Sequence, residues 1–136
     1  MQAYKLTESL AVCGQISVAA VPEIAAAGFK VLINNRPDGE EPGQPGSAEI
    51  QAAVEEAGLE YHYMPVNAMT FPGDDLAAMT RLFDDSERPA FAYCRTGTRC
   101  ANLWVASRPE AERESASALA QKIGFDLSLA ARLNLN

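Results

Sequence analysis

The sequence predicts an α/β layer structure built on a mainly parallel sheet with helices on both faces. Three observations carry this expectation. Short apolar runs of strand length alternate with segments of helical period along the chain. One of those runs, FKVLIN at 29–34, is nearly uninterrupted, as a strand buried on both faces must be. Glycines stand where the intervening helices should stop. At 136 residues the chain is read as one domain, 1–136, long enough to bury a core of its own.

Taken in order, LAVCGQI at 10–16 is expected to be the first strand. Ser17 is a suitable N-cap for a helix over 18–27 that ends at Gly28, with Pro22 delaying its first turn. FKVLIN supplies the second strand. RPDGEEPGQPGS at 36–47 is too rich in proline, glycine and acid for anything but a loop, and a loop at the carboxyl end of a parallel strand commonly borders a site. A helix over 48–57 closed by Gly58 leads to a third strand, LEYHYMPV at 59–66. Then come a helix over 73–83, a fourth strand over 89–93, a helix over 98–107, and two last helices over 109–123 and 127–133 with Gly124 between them. There is no internal repeat or linker.

Composition narrows the function. A formal net charge of -7 with only 11 Lys and Arg argues against a nucleic-acid partner, so any anion site has to be local. No apolar run approaches the ~20 residues of a membrane span and the start lacks a basic head with an apolar core behind it, so no membrane partner and a cytoplasmic location are expected. Three cysteines at no zinc-like spacing and a single histidine predict reduced thiols, no metal and no cofactor.

The chemistry concentrates in FAYCRTGTRC at 91–100. A strand, a tight glycine-bearing turn and a helix start make an anion cradle, because successive backbone N–H groups point inward and the helix dipole adds positive charge. Cys94 stands at its entrance. The amides, together with Arg95 and Arg99, favour its thiolate and make it a candidate nucleophile without a histidine partner. Gly97 lets the turn curl, Thr96 and Thr98 offer hydroxyls, and Arg99 offers a planar fork to an oxyanion. Taken alone, Cys94 could equally be a small buried residue at a strand end; the combination of residues favours a site. Cys13 and Cys100 are expected to be packed and inert, Trp104 to be core, and His62 to be a partly exposed strand residue. Arg36, Asp38 and Glu40 either line the mouth of the site or form a solvated turn.

VCGQI at 12–16, GFKVLINNRPDGEEPGQPG at 28–46, YHYMPV at 61–66 and AYCRTGTRCANLW at 92–104 together resemble the bacterial family of beta-lactamase-hydrolase-like phosphatase-like domains, over nearly the whole chain to about Trp104. The resemblance implies a dual-specificity-phosphatase-like three-layer fold. It also implies cysteine chemistry of either phosphatase or sulfurtransferase type, and a functional link to persulfide dioxygenase-type enzymes, to which some members are fused.

Two departures weigh between the chemistries. Tyrosine phosphatases carry one residue more between cysteine and arginine than the four that separate Cys94 from Arg99, and a tighter ring suits a single sulfane sulfur better than a phosphoryl group. The position most like their general acid is Asn67, which cannot supply an acidic proton. Asp74 or Asp75 could substitute, although both stand where a helix start explains an acid. The expected function is therefore a sulfurtransferase that takes sulfur from thiosulfate or a persulfide onto Cys94. A phosphatase working through a phosphocysteine is the alternative, and a non-catalytic anion-binding module the third reading. In each case the partner is a small anion.

Overall fold

The chain's computed structural model describes residues 1–133. Its strands are β1 (Ala3–Thr7), β2 (Leu10–Cys13), β3 (Val31–Asn34), β4 (Glu60–Tyr63) and β5 (Ala90–Tyr93). They form one sheet in the order β1-β2-β5-β3-β4, parallel throughout except where β1 runs antiparallel to β2. Every residue of β2, β3 and β5 is buried, as strands covered on both faces require.

The helices are α1 (Val21–Ala26), α2 (Ser47–Glu56), α3 (Leu76–Asp84), α4 (Thr98–Ser107), α5 (Glu110–Ile123) and α6 (Ser128–Ala131). Alternation along each strand divides the core in two. Val12, Ile33 and Ala92 pack with Met79 and Phe83 of α3, Leu103 of α4 and Ala120 of α5. On the opposite face Ala11, Leu32 and Phe91 pack with Ile24 of α1 and Ile50 and Val54 of α2. Helices thus cover both faces of the sheet, which is the three-layer architecture expected. No helix among the described residues is long and apolar enough to cross a membrane.

The differences from the sequence expectation are local and have physical reasons. β1 was not anticipated: AYKLT lies at the sheet edge, half exposed and carrying Lys5, so it lacks the apolar signature of the central strands. The strand expected over 10–16 stops at Cys13 because the chain leaves the sheet at Gly14, where an added Cβ would stand 3.1 Å from the Arg95 carbonyl oxygen. Gln15 N–H then donates to that same carbonyl at 3.2 Å, tying the segment to the residue after Cys94. The helix expected over 18–27 divides after Ala20 into a 3-10 turn, Val18–Ala20, and α1, which takes Pro22 in its first turn, with the Ser17 hydroxyl accepting from Ala20 N–H as a cap. The third strand is shorter than expected, although Met64 and Val66 still donate to the carbonyls of Asn34 and Asn35 at 2.9 Å. The helix expected over 73–83 begins only at Leu76, after a turn at Gly73 with φ +89°. The last helix is confined to Ser128–Ala131.

Candidate active site

β5 lies between β2 and β3, so the segment that leaves its carboxyl end emerges at the centre of the sheet. Cys94 N–H still donates to the Cys13 carbonyl at 3.3 Å, and the chain then curls through Arg95, Thr96 and Gly97 into α4. Gly97 is required twice over. Its φ is +88°, and a Cβ there would meet a Phe125 ring carbon at 3.3 Å and the Cys13 carbonyl carbon at 3.4 Å. This turn aims Gly97 N–H at the Cys94 Sγ, 3.1 Å away, and the Thr96 hydroxyl reaches the Thr98 hydroxyl at 2.9 Å.

Cys94 forms the floor of this ring and is fully buried. Burial alone would raise its thiol, yet the thiol is held down at about 6. The leading cause is the Cys100 thiol, which donates to it; the backbone N–H groups of Cys100, Thr96 and Arg99 add to the effect. The ring of amides expected from sequence is therefore present. The contribution expected from the guanidiniums of Arg95 and Arg99 ranks behind it, and Arg95 is largely exposed, with its nearest carboxylate, Glu41, at 3.8 Å. Cys100 is buried as expected, and its own thiol is pushed well up by burial and by the Cys94 sulfur beside it, so that it keeps its proton. Helical geometry offered a signal for this: side chains tilt toward the helix N-terminus, so the third residue of α4 reaches back over the loop. An ultraviolet titration of thiolate absorbance, taken as the difference between the protein and its Cys94→Ser variant, should accordingly show a midpoint near pH 6 rather than near 9.0. A midpoint above 8 would mean the donors do not outweigh burial.

Arg99 presents two forks. Its Nη1 and Nη2 donate to the Glu40 carboxylate at 2.9 and 2.8 Å, and Nη1 donates again to the Val66 carbonyl at 2.9 Å. Of its five N–H groups, these contacts leave Nε–H and the neighbouring Nη2–H, a side fork of the geometry that suits an oxyanion. Glu40 is itself shared. It accepts from Arg36 Nε at 2.9 Å, and the Arg99 bond, followed by the Arg36 bond, holds its carboxyl below the ordinary range despite partial burial. Arg36 was a candidate for the mouth of the site, but its side chain is only 1% exposed and is bound to Glu40, to Glu41 at 2.8 Å and to Gln15 at 2.9 Å. It stands behind Glu40 as support. Asp38, the third mouth candidate, accepts from Ser47 N–H at the start of α2 and so organises the loop.

The candidate acids divide. The Asn67 carboxamide oxygen accepts from Met69 and Thr70 N–H at 2.8 and 2.9 Å, so it holds a turn of its own. Asp75 is the N-cap of α3, accepting from Ala78 N–H at 2.9 Å. Asp74 is exposed at a small cavity of about 200 Å³ bordered by Met64, Val66 and Met79. No bond links either aspartate to the cysteine loop among the described contacts. Asp75→Ala should therefore cost about 1 kcal/mol in a thermal melt, the worth of an N-cap, and leave turnover unchanged; a large loss of turnover would restore Asp75 as an acid. His62 pairs with Glu60 on the edge strand β4, apart from the loop. Trp104 is buried in the core with the Arg108 guanidinium over its ring.

Comparison with known proteins agrees with this geometry. The family model described as "Beta-lactamase hydrolase-like protein, phosphatase-like domain" matches residues 3–111. A beta-lactamase hydrolase-like protein of Agrobacterium fabrum is 38% identical over 135 residues, covering 97% of this chain and 31% of its own length. The chain thus spans about a third of that relative. A crystal structure of a candidate phosphatase from Neisseria meningitidis superposes with a TM-score of 0.76 at 37% identity, covering 95% of this chain and 94% of that one. PTPMT1, at 13% identity and a TM-score of 0.74 over 97% of this chain and 91% of its own, shares the fold. The architecture is that of the dual-specificity and tyrosine phosphatases, and the chain belongs to the family of beta-lactamase hydrolase-like protein, phosphatase-like domains.

Proposed function

We propose that, within this phosphatase-like family, the chain is a cysteine-dependent sulfurtransferase that carries a sulfane sulfur as a Cys94 persulfide. The observation that carries the reading is the pairing of a thiol held low at the floor of a short ring with the absence, among the described residues, of any bonded proton donor of carboxylic type. Asp75 caps α3, and the carboxylates at the rim, Glu40 and Glu41, are kept ionised by their arginines. Phosphoryl transfer to a cysteine asks for a proton on the leaving oxygen, whereas sulfite leaves without one. The Cys94 thiolate attacks the outer sulfur of thiosulfate, the sulfur–sulfur bond breaks, and sulfite departs with the electron pair. The side fork of Arg99 holds the anion while this occurs. The persulfide then places the transferable sulfur about 2.05 Å above the buried Sγ, toward the mouth, where cyanide or a thiolate removes it and regenerates the Cys94 thiolate. Glu40 and Arg36 are positioning residues for Arg99, and Arg95, Thr96, Gly97 and Thr98 form the wall of the ring.

A cytoplasmic setting belongs to the same proposal, supported by the three free cysteines. So does a link to a persulfide dioxygenase-type enzyme that consumes the product, supported by the greater length of the curated relatives. Phosphatase activity is the second reading, favoured by the free oxyanion fork of Arg99 and by the family description.

Intact-protein mass analysis after thiosulfate, run beside hydrolysis of p-nitrophenyl phosphate, separates the readings. The expected result is one added sulfur on Cys94, removable by cyanide, with negligible phosphate release. Phosphate release without sulfur loading would establish the phosphatase reading instead, and neither activity with retained sulfate binding would leave an anion-binding module.

A further inference from the structure

The mechanism above uses one sulfur, yet two meet at the floor of the ring. Cys94 and Cys100 are six residues apart and both fully buried in the same core cluster, Cys100 in the first turn of the helix that leaves the Cys94 loop, and each thiol acts on the ionisation of the other. Cys13 is buried too, but its side chain packs on the opposite face of the sheet among Ala11, Ile16 and Tyr93. The geometry thus selects one partner for Cys94.

We propose that Cys100 is the resolving thiol of Cys94: when Cys94 Sγ carries an extra sulfur or oxygen atom, Cys100 Sγ displaces that atom and closes a Cys94–Cys100 disulfide. In the sulfur case, which rests on the function proposed above, the Cys94 persulfide anion and the Cys100 thiol give the disulfide and hydrosulfide. The bond between Cys94 Sγ and the outer sulfur breaks, and the outer sulfur leaves with the electron pair and the Cys100 proton. In the oxygen case a hydroperoxide first transfers an oxygen to the Cys94 thiolate, giving a sulfenic acid and the corresponding alcohol or water. Cys100 then expels that oxygen as water. A thiol reductant returns both cysteines to the starting state by exchange.

Cys100 is restrained until it is needed. Besides burial, the influences that keep it protonated are chiefly the Cys94 sulfur and its negative charge, with a smaller one from Cys13. Once Cys94 Sγ is bonded to another atom that charge leaves the sulfur, while Arg99 and the α4 N-terminus continue to favour a Cys100 thiolate. The resting pair therefore does not attack itself, and the loaded pair is set to react. Closing to a bond of about 2.05 Å moves two sulfurs joined by one short loop that turns at Gly97, where φ is +88°.

The experiment uses the whole chain, its Cys100→Ser variant and its Cys100→Ala variant, each treated separately with hydrogen peroxide and with thiosulfate, then examined by intact mass, peptide mapping and a sulfide assay. Peroxide should remove two hydrogens from the wild type, mapped to Cys94–Cys100, and leave both variants with added oxygen on Cys94. Thiosulfate should first add one cyanide-removable sulfur to Cys94 in all three proteins; in the wild type this gives way to the same disulfide with release of sulfide, and in the variants it persists. If peroxide forms the disulfide and thiosulfate loads no protein, the resolving role stands and sulfur transfer falls. If the wild type keeps its added sulfur or oxygen as long as the variants do, or if the bond maps to Cys13, the resolving role is overturned whichever activity the protein has.

Discussion

Replacing Cys94 by serine is expected to abolish the covalent chemistry, lowering sulfur transfer from thiosulfate to cyanide by on the order of 10³-fold or more, since a hydroxyl in that ring has no means of ionising near neutral pH. The loss should be complete for whichever group the protein carries, because phosphate and sulfur would both pass through the same atom. Folding should survive, as serine is close to cysteine in size and finds donors already in place in Gly97 N–H and the Cys100 thiol. The variant should nevertheless show a distinctive pH response. Cys94 ionises at about 6 when folded and near 9.0 when unfolded, so between those values the unfolded chain holds a proton the folded chain has released. Stability conferred by this group is fully present above the higher value and is lost as the pH falls through the lower one, with a slope of up to about 1.4 kcal/mol per pH unit between them. The difference in unfolding free energy between wild type and Cys94→Ser should therefore widen from pH 6 to pH 9 in denaturant titrations. A constant difference would mean that the thiolate is not the folded species.

Much of this site was legible because its parts are local. The apolar segment before Cys94, the glycine at 97 and the helical pattern after it are neighbours in sequence, and each has one strong physical meaning: a buried strand, a positive φ, an exposed helix start. Asp75 was also readable, since an acid before a helix already has a sufficient structural duty, whereas the turn that Asn67 holds was not. What escaped depends on strand order. Glu40 and Arg99 are 59 residues apart and meet only because β5 inserts beside β3, bringing the loop after one strand against the loop after the other. Nothing in the residue pattern of either segment encodes that adjacency. The same holds for β1, whose pairing with β2 is decided by an edge left open rather than by its own composition. Arg36 was misplaced for a related reason. An arginine among prolines, glycines and acids reads as solvated, and only the folded loop wraps it with Glu40, Glu41 and Gln15 until its side chain is 1% exposed.

That wrapped arginine sets up an inequality between two variants. Glu40→Ala removes the one carboxylate that Arg36 and Arg99 share, leaving two guanidiniums facing each other across a partly exposed gap. Stripping one partner from a fully buried ion pair costs about 3–5 kcal/mol; the cost here falls below that range, because Glu40 is partly exposed and Arg36 keeps Glu41 and Gln15. Arg99 would lose both bonds of its end fork and keep only the Val66 carbonyl, so its remaining fork would no longer be aimed, with an expected fall in kcat/KM for thiosulfate of about 100-fold. Arg36→Met removes charge from the same network but strands nothing comparable. Glu40 retains Arg99, Glu41 is half exposed and can be solvated, and methionine fills much of the arginine's volume. Glu40→Ala should thus be the more harmful change in both melting temperature and kcat/KM, although Arg36 is by far the more buried residue. The reverse order would place the structural burden on Arg36 itself and leave Arg99 held by its own loop rather than by a carboxylate from across the sheet.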